Sequence, residues 1–146
     1  GVFGVPHDTS GLSQWLGLNL LEDLEFCRDY IARVQGELRE GAAIVTTQLE
    51  SLQLPFTQPE AGLFVWADFS SLLKPAATTG QDGEREKELI CAMADECGVI
   101  LTPGLEFEAE RPGFVRICFG FQQRAGLEEG MRRLRSFVET RRKQLL

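Results

Sequence analysis

The sequence predicts a two-layer α/β domain, α+β in arrangement: segregated helices on a small sheet that includes an antiparallel pair. Three observations carry this. Apolar residues recur every three or four positions over long segments, which is helical spacing. Short runs of β-branched and aromatic residues, closed by glycine or proline, supply strands. The order is helix, long helix, strand, helix, strand, strand, helix, which is not the alternation of a doubly wound parallel sheet.

The elements follow in chain order. Residues 1–11 hold three glycines and a proline, then Asp8, Thr9 and Ser10. This is loop chemistry leading to a cap, Ser10 or Thr9, for a helix over 12–21. In the next segment Leu24, Cys27, Ile31, Val34, Leu38, Ala42, Val45, Leu49 and Leu52 form one stripe on a helix over 22–53. Gly36 and Gly41 weaken its middle, and a bend or break near Gly41 is allowed. Pro55 and Pro59 bracket a loop. Residues 62–69, Gly-Leu-Phe-Val-Trp-Ala-Asp-Phe, read as a strand apolar on both faces and hence inside a covered sheet. Residues 74–83 are loop by composition. A helix over 84–97 starts acidic, buries Leu89, Ile90, Met93 and Cys97, and ends at Gly98 as its C′ residue. Residues 99–101 make a short strand, and 105–112 an acidic loop anchored by Phe107. A final helix over 125–142 buries Leu127, Met131, Leu134 and Val138, and its basic tail Arg141-Arg142-Lys143 complements the negative helix end.

Composition narrows the function classes. The chain has 146 residues, enough for one domain with a core, and 43% hydrophobic and 25% charged residues. A net charge of −7 disfavours nucleic acid, whose phosphates want a basic face. No long apolar run predicts a membrane span, and no signal peptide is seen. Cys27, Cys91, Cys97 and Cys118 are scattered, and with a single histidine they predict buried free thiols of a cytoplasmic protein rather than a zinc site. That histidine, His7, stands beside a proline without visible partners and reads as solvated rather than as a general base. The opening Gly-Val-Phe-Gly-Val-Pro reads as the interior of a longer protein.

The segment Gly113-Phe-Val-Arg-Ile-Cys-Phe-Gly120 is the informative one. Side chains alternate along a strand, so Val115, Ile117 and Phe119 face one way and Phe114, Arg116 and Cys118 the other. A guanidinium set mid-strand among apolar neighbours needs a partner, because its desolvation costs several kcal/mol. A carboxylate or phosphate gripped by two parallel N–H bonds is one partner. An internal Asp or Glu, or simple extension to water, is the other reading.

Four segments in order resemble the fold-type I pyridoxal-phosphate enzymes of the class I/II aminotransferases. Residues 61–68, Ala-Gly-Leu-Phe-Val-Trp-Ala-Asp, are similar to their "aGLFvWvdl" strand. Val99-Ile-Leu-Thr-Pro-Gly104 followed by Phe107 resembles "v.l.PG..F". Residues 113–119 resemble "GwfRvcFa", closest in wording to the 1-aminocyclopropane-1-carboxylate (ACC) synthase branch. Ser10, Gln14, Leu20-Leu-Glu-Asp23, Phe26 and Tyr30-Ile31 resemble that branch's "s..tQ..la.lL.d..F...YI" helices. The departures are Phe114-Val115 in place of a pair of aromatics and Val34 in place of asparagine; Arg116 is retained.

The resemblance implies a small, mostly antiparallel sheet covered by helices, as in the family's C-terminal domain. It implies that residues 1–21 are a crossing segment and helix from a missing large domain, and that 22–146 are the small domain. It gives Arg116 the role of pairing with the α-carboxylate of an amino-acid substrate. The cofactor lysine, the ring-stacking aromatic and the pyridine-binding Asp belong to the larger domain. Pyridoxal phosphate is therefore expected in the parent, not on this fragment, and no catalytic or metal-binding residue is assigned here. Ser71-Leu-Leu-Lys74 has a superficial Ser-x-x-Lys spacing, but Lys74 reads as a solvated loop lysine. The parent is expected to be a homodimer and the fragment inactive alone. The alternative is a non-catalytic amino-acid-binding or interaction module that shares the fold.

Overall fold

The computed structural model describes residues 10–75 and 82–145. Helix α1 (Gly11–Glu22) and helix α2 (Leu24–Ser51) precede strands β1 (Phe56–Thr57) and β2 (Phe64–Asp68) and a 3-10 turn at Ser70–Leu72. Helix α3 (Asp82–Cys97), strand β3 (Thr102–Pro103), a 3-10 turn at Gly104–Phe107, strand β4 (Phe114–Cys118) and helix α4 (Arg124–Gln144) follow. The strands form one sheet in the order β1-β2-β4-β3, every neighbouring pair antiparallel. This is the expected α+β class. Two compact units are present, Gly1–Gly36 and Glu37–Leu146.

In the first unit Ser10 is the cap, its Oγ accepting the Ser13 N–H at 3.2 Å. Asp23 separates the two helices, and its Oδ1 accepts the Phe26 N–H at 3.0 Å, an N-cap that restarts the chain as α2. Helix α1 buries none of its residues, and Leu12, Trp15, Leu16 and Leu21 are exposed. His7 and Thr9 lie outside the described residues.

The second unit holds the core. Val45 and Leu49 of α2, Leu89 and Met93 of α3, and Leu134 and Val138 of α4 pack with Val65, Ala67, Val115 and Ile117 from one face of the sheet. The predicted stripes of α3 and α4 are buried or packed against this core. The stripe on α2 is buried only towards its C-terminal end; Leu24 and Ile31 are exposed. No break occurs at Gly41, since α2 runs through it. A Cβ there would sit 3.1 Å from the Phe119 carbonyl oxygen, so the glycine serves close packing rather than a kink.

Three strand expectations change. Strand β2 is not apolar and covered on both sides. Val65 and Ala67 are buried, whereas Phe64 is 40% exposed. The strand expected at 99–101 forms at Thr102–Pro103. The Val99 N–H is instead bonded to the Met93 carbonyl at 3.2 Å, in the turn that ends α3. Gly98 takes φ +67° there, as its C′ assignment requires. The 55–59 loop hides β1, where Phe56 pairs with Ala67. Both β1 and β3 are edge strands, where prolines are tolerated because no ladder donor is lost. The expected loop over 74–83 overlaps the start of α3, and 76–81 lie outside the described residues.

Candidate functional site

The antiparallel register assembles the second face of the sheet. Trp66 pairs with Arg116, Phe64 with Cys118 and Asp68 with Phe114. These six side chains therefore lie opposite the core face. Trp66 stacks on Phe114, with centroids 5.6 Å apart, and meets Phe107 edge-on at 6.2 Å.

Arg116 is half-buried within this aromatic surface. Its guanidinium carbon lies 4.3 Å from the Phe64 ring centroid and 4.5 Å from that of Phe107. Its Nε is buried without a hydrogen-bond partner among the described residues. Arg111 provides a contrast. Its guanidinium lies 5.0 Å from the Phe114 ring centroid, but its Nη2 donates to Asp68 Oδ2 at 2.6 Å. Asp68 Oδ1 accepts the Ser70 N–H at 2.8 Å. Arg111 is thus matched by a carboxylate, and among the described residues Arg116 is not.

Phe107, expected to anchor the acidic loop, does so from the surface, with its ring against Trp66 and Arg116. It is 45% exposed, and its ring covers the Arg116 guanidinium. Its turn is also held by Glu86 of α3, only 1% exposed. Glu86 Oε1 accepts the Leu105 N–H at 2.9 Å, and Oε2 accepts the Gly113 N–H at 2.6 Å. One carboxylate thereby ties α3 both to the turn that carries Phe107 and to the start of β4, which carries Arg116. Gly113 adopts φ +100°, and a Cβ there would fall 2.5 Å from the Ser70 Cα. The sequence reading missed Glu86. The signal was its place on the buried stripe of α3, three and seven residues before Leu89 and Met93.

Arg141, Arg142 and Lys143 occupy the last turn of α4, as expected, and the first of them makes further contacts. Arg141 is buried, and its Nε donates to the Leu72 carbonyl at 3.2 Å. Its Nη1 donates to Glu88 Oε1 at 3.1 Å, and its Nη2 donates to Glu88 Oε2. The Arg141 hydrogen bond holds the Glu88 carboxyl below the usual range, against the opposing effect of burial and with help from Lys74. Lys74 is exposed, as expected, but its Nζ pairs with Glu88 Oε1 at 2.7 Å. Lys87 and Lys143, the other lysines of the chain, are exposed too. None has the desolvated setting in which a lysine amine becomes a nucleophile, so these residues do not fit a Schiff-base anchor for pyridoxal phosphate.

All four cysteines are free, as expected, but none is fully buried: Cys91 is exposed, and Cys27, Cys97 and Cys118 are half-buried. Burial pushes the Cys97 thiol up, which keeps it protonated. Among the described residues no His, Cys, Asp and Glu cluster could hold a metal ion, and no helix is long and apolar enough to cross a membrane.

The fold is that of an aminotransferase's small α+β part. It is similar to the aromatic aminotransferase from Pyrococcus horikoshii OT3, with a TM-score of 0.71 and 20% identity over 88% of this chain and 31% of that one. It is also similar to a double mutant of the aspartate aminotransferase from Thermus thermophilus, with a TM-score of 0.70 and 22% identity over 85% of this chain and 29% of that one.

The chain belongs to the class I and II aminotransferase family, whose sequence profile matches residues 5–134. Within that family it is ACC synthase-like. It is 31% identical over 131 residues to 1-aminocyclopropane-1-carboxylate synthase 1 of Oryza sativa subsp. indica, covering 90% of this chain and 26% of that protein. It is 30% identical over 129 residues to 1-aminocyclopropane-1-carboxylate synthase 6 of Arabidopsis thaliana, covering 88% of this chain and 25% of that protein. The chain thus spans about a quarter of the length of these curated relatives.

Proposed function

We propose that this chain is the substrate-carboxylate-binding small domain of a pyridoxal-phosphate-dependent aminotransferase or ACC synthase-like enzyme, with Arg116 as the binding residue. The observation that carries the reading is a mid-strand guanidinium set against two aromatic rings, with a buried Nε–H that has no acceptor among the described residues. The α-carboxylate of an amino acid is planar and offers two acceptors to the guanidinium fork. Holding it fixes how the bonds at the substrate Cα are turned, and positioning of this kind is worth several kcal/mol. Pyridoxal phosphate, bound by the remainder of the parent, supplies the electron sink. Arg116 binds and orients the substrate; the lysine that would anchor the cofactor lies outside this chain, which is therefore inactive alone.

In this reading residues 1–21 cross from a large domain and 22–146 form the small domain of a homodimeric, cytoplasmic parent. The exposed apolar residues of α1 support a large-domain partner, and the free thiols support a reducing compartment.

The test is Arg116→Lys in the parent enzyme, with L-alanine, L-phenylalanine, L-aspartate and S-adenosyl-L-methionine offered as substrates. The ammonium keeps the charge but loses the fork, so KM for the substrate that turns over rises about 10- to 100-fold. An unchanged KM overturns the assignment and favours the non-catalytic module. The inactivity of the fragment has its own test. Borohydride reduction of the 146-residue chain with pyridoxal phosphate leaves no site-specific lysine adduct by mass spectrometry; an adduct on one lysine would refute it.

A further inference from the structure

We propose that Phe64 and Phe107 are positioning residues for Arg116, and that their rings set how strongly it takes a planar carboxylate. This rests on the reading of Arg116 as the carboxylate-binding residue.

The two rings come from elements on opposite sides of β4. Phe64 belongs to β2, and Phe107 to the turn that follows β3. Both centroids lie within the roughly 6 Å over which a guanidinium is drawn to an aromatic face. Both residues are large and apolar yet remain 40% and 45% exposed, so core packing does not account for them. Attraction to a ring consumes none of the five N–H donors of arginine. An internal carboxylate would consume two, as Asp68 begins to do for Arg111. The rings therefore retain the cation on the sheet while leaving its donors for a ligand. They also displace water from the guanidinium, and a lower local dielectric strengthens the ion pair it forms with a bound carboxylate.

The position of Phe107 is itself fixed from two sides. Trp66 meets its ring edge-on at 6.2 Å. Glu86 holds the backbone of its turn through the Leu105 N–H at 2.9 Å.

The experiment measures steady-state kinetics of Phe64→Leu, Phe107→Leu and Phe107→Tyr in the parent enzyme, on the same four substrates and beside Arg116→Lys. Each leucine variant raises KM by about three- to tenfold with kcat within about twofold, because binding strength is lost without loss of chemistry. Phe107→Tyr keeps the aromatic face and retains the parental KM. Thermal midpoints stay close to the parent's, since neither ring is buried. Phe107→Met replaces the leucine variant if that one does not fold. Unchanged KM in the leucine variants, together with a raised KM in Arg116→Lys, overturns the ring proposal and leaves the carboxylate assignment standing. An unchanged KM in Arg116→Lys overturns both. Loss of kcat that Phe107→Tyr does not restore assigns the rings a structural role and also overturns the proposal.

Discussion

Glu86 offers the sharpest test of how the candidate site is held together. Its carboxylate is almost wholly buried and accepts two backbone N–H groups, from Leu105 at 2.9 Å and Gly113 at 2.6 Å. A hydrogen bond to an ionised group contributes about 1.5–3 kcal/mol. Glu86→Gln keeps the shape but offers one acceptor, and its amide NH2 then faces the second N–H. The expected cost is one bond plus the opposed donors, about 2–3 kcal/mol. Glu86→Ala removes both bonds, leaves the buried Gly113 without an acceptor and opens a cavity, at about 3–5 kcal/mol. At roughly 3 °C per kcal/mol for a chain of this size, the midpoints fall by about 6–9 °C and 9–15 °C. Thermal unfolding followed by circular dichroism reads both. If Glu86→Ala lowered the midpoint by less than about 2 °C, the two bonds would contribute nothing measurable and the clasp would be wrong.

Two further outcomes follow from local geometry. Gly113→Ala costs more than about 2 kcal/mol in urea unfolding, since φ is +100° and the new Cβ meets the Ser70 backbone at 2.5 Å. Gly36→Ala in α2 has nothing within 4 Å of the new Cβ and is the matched control, stabilising by about 0.5–1 kcal/mol. Equal effects from the two substitutions would show that backbone strain at Gly113 is not the cause. The Glu88 carboxyl sits below its ordinary value of 4.5 in the folded chain, chiefly through the Arg141 hydrogen bond. A depressed folded value stabilises fully above the ordinary one, and that contribution is lost as pH falls through the folded value. Glu88→Gln should therefore flatten the decline of stability below pH 4.5. A decline as steep as that of the unsubstituted chain would contradict the assignment.

The site was legible where local pattern governs it. Alternation along 113–120 separated Arg116 from Val115 and Ile117, and the sheet places them on opposite faces as that alternation requires. The sequence places Phe64 in a strand and Phe107 in an acidic loop that it anchors. Nothing in their spacing joins them to Arg116, because Phe64 and Phe107 are 43 residues apart and meet it only through the β2-β4-β3 order. Glu86 and Arg141 were hidden differently. Each continues an apolar stripe with a charged residue, and whether such a residue is buried or turned to water depends on acceptors and donors supplied by distant backbone or side chains.

From its amino acids alone the chain determines its class, its helices and the alternating faces of its central strands, because helical and strand periods are read within a few residues of one another. Tertiary structure decides the rest. It shifts the third strand to Thr102–Pro103, forms a strand around Phe56, leaves one sheet face half-open and brings two rings against a guanidinium that no carboxylate among the described residues neutralises. Those outcomes follow from which segments pair across long loops, and pairing energy depends on partners that a local pattern does not specify.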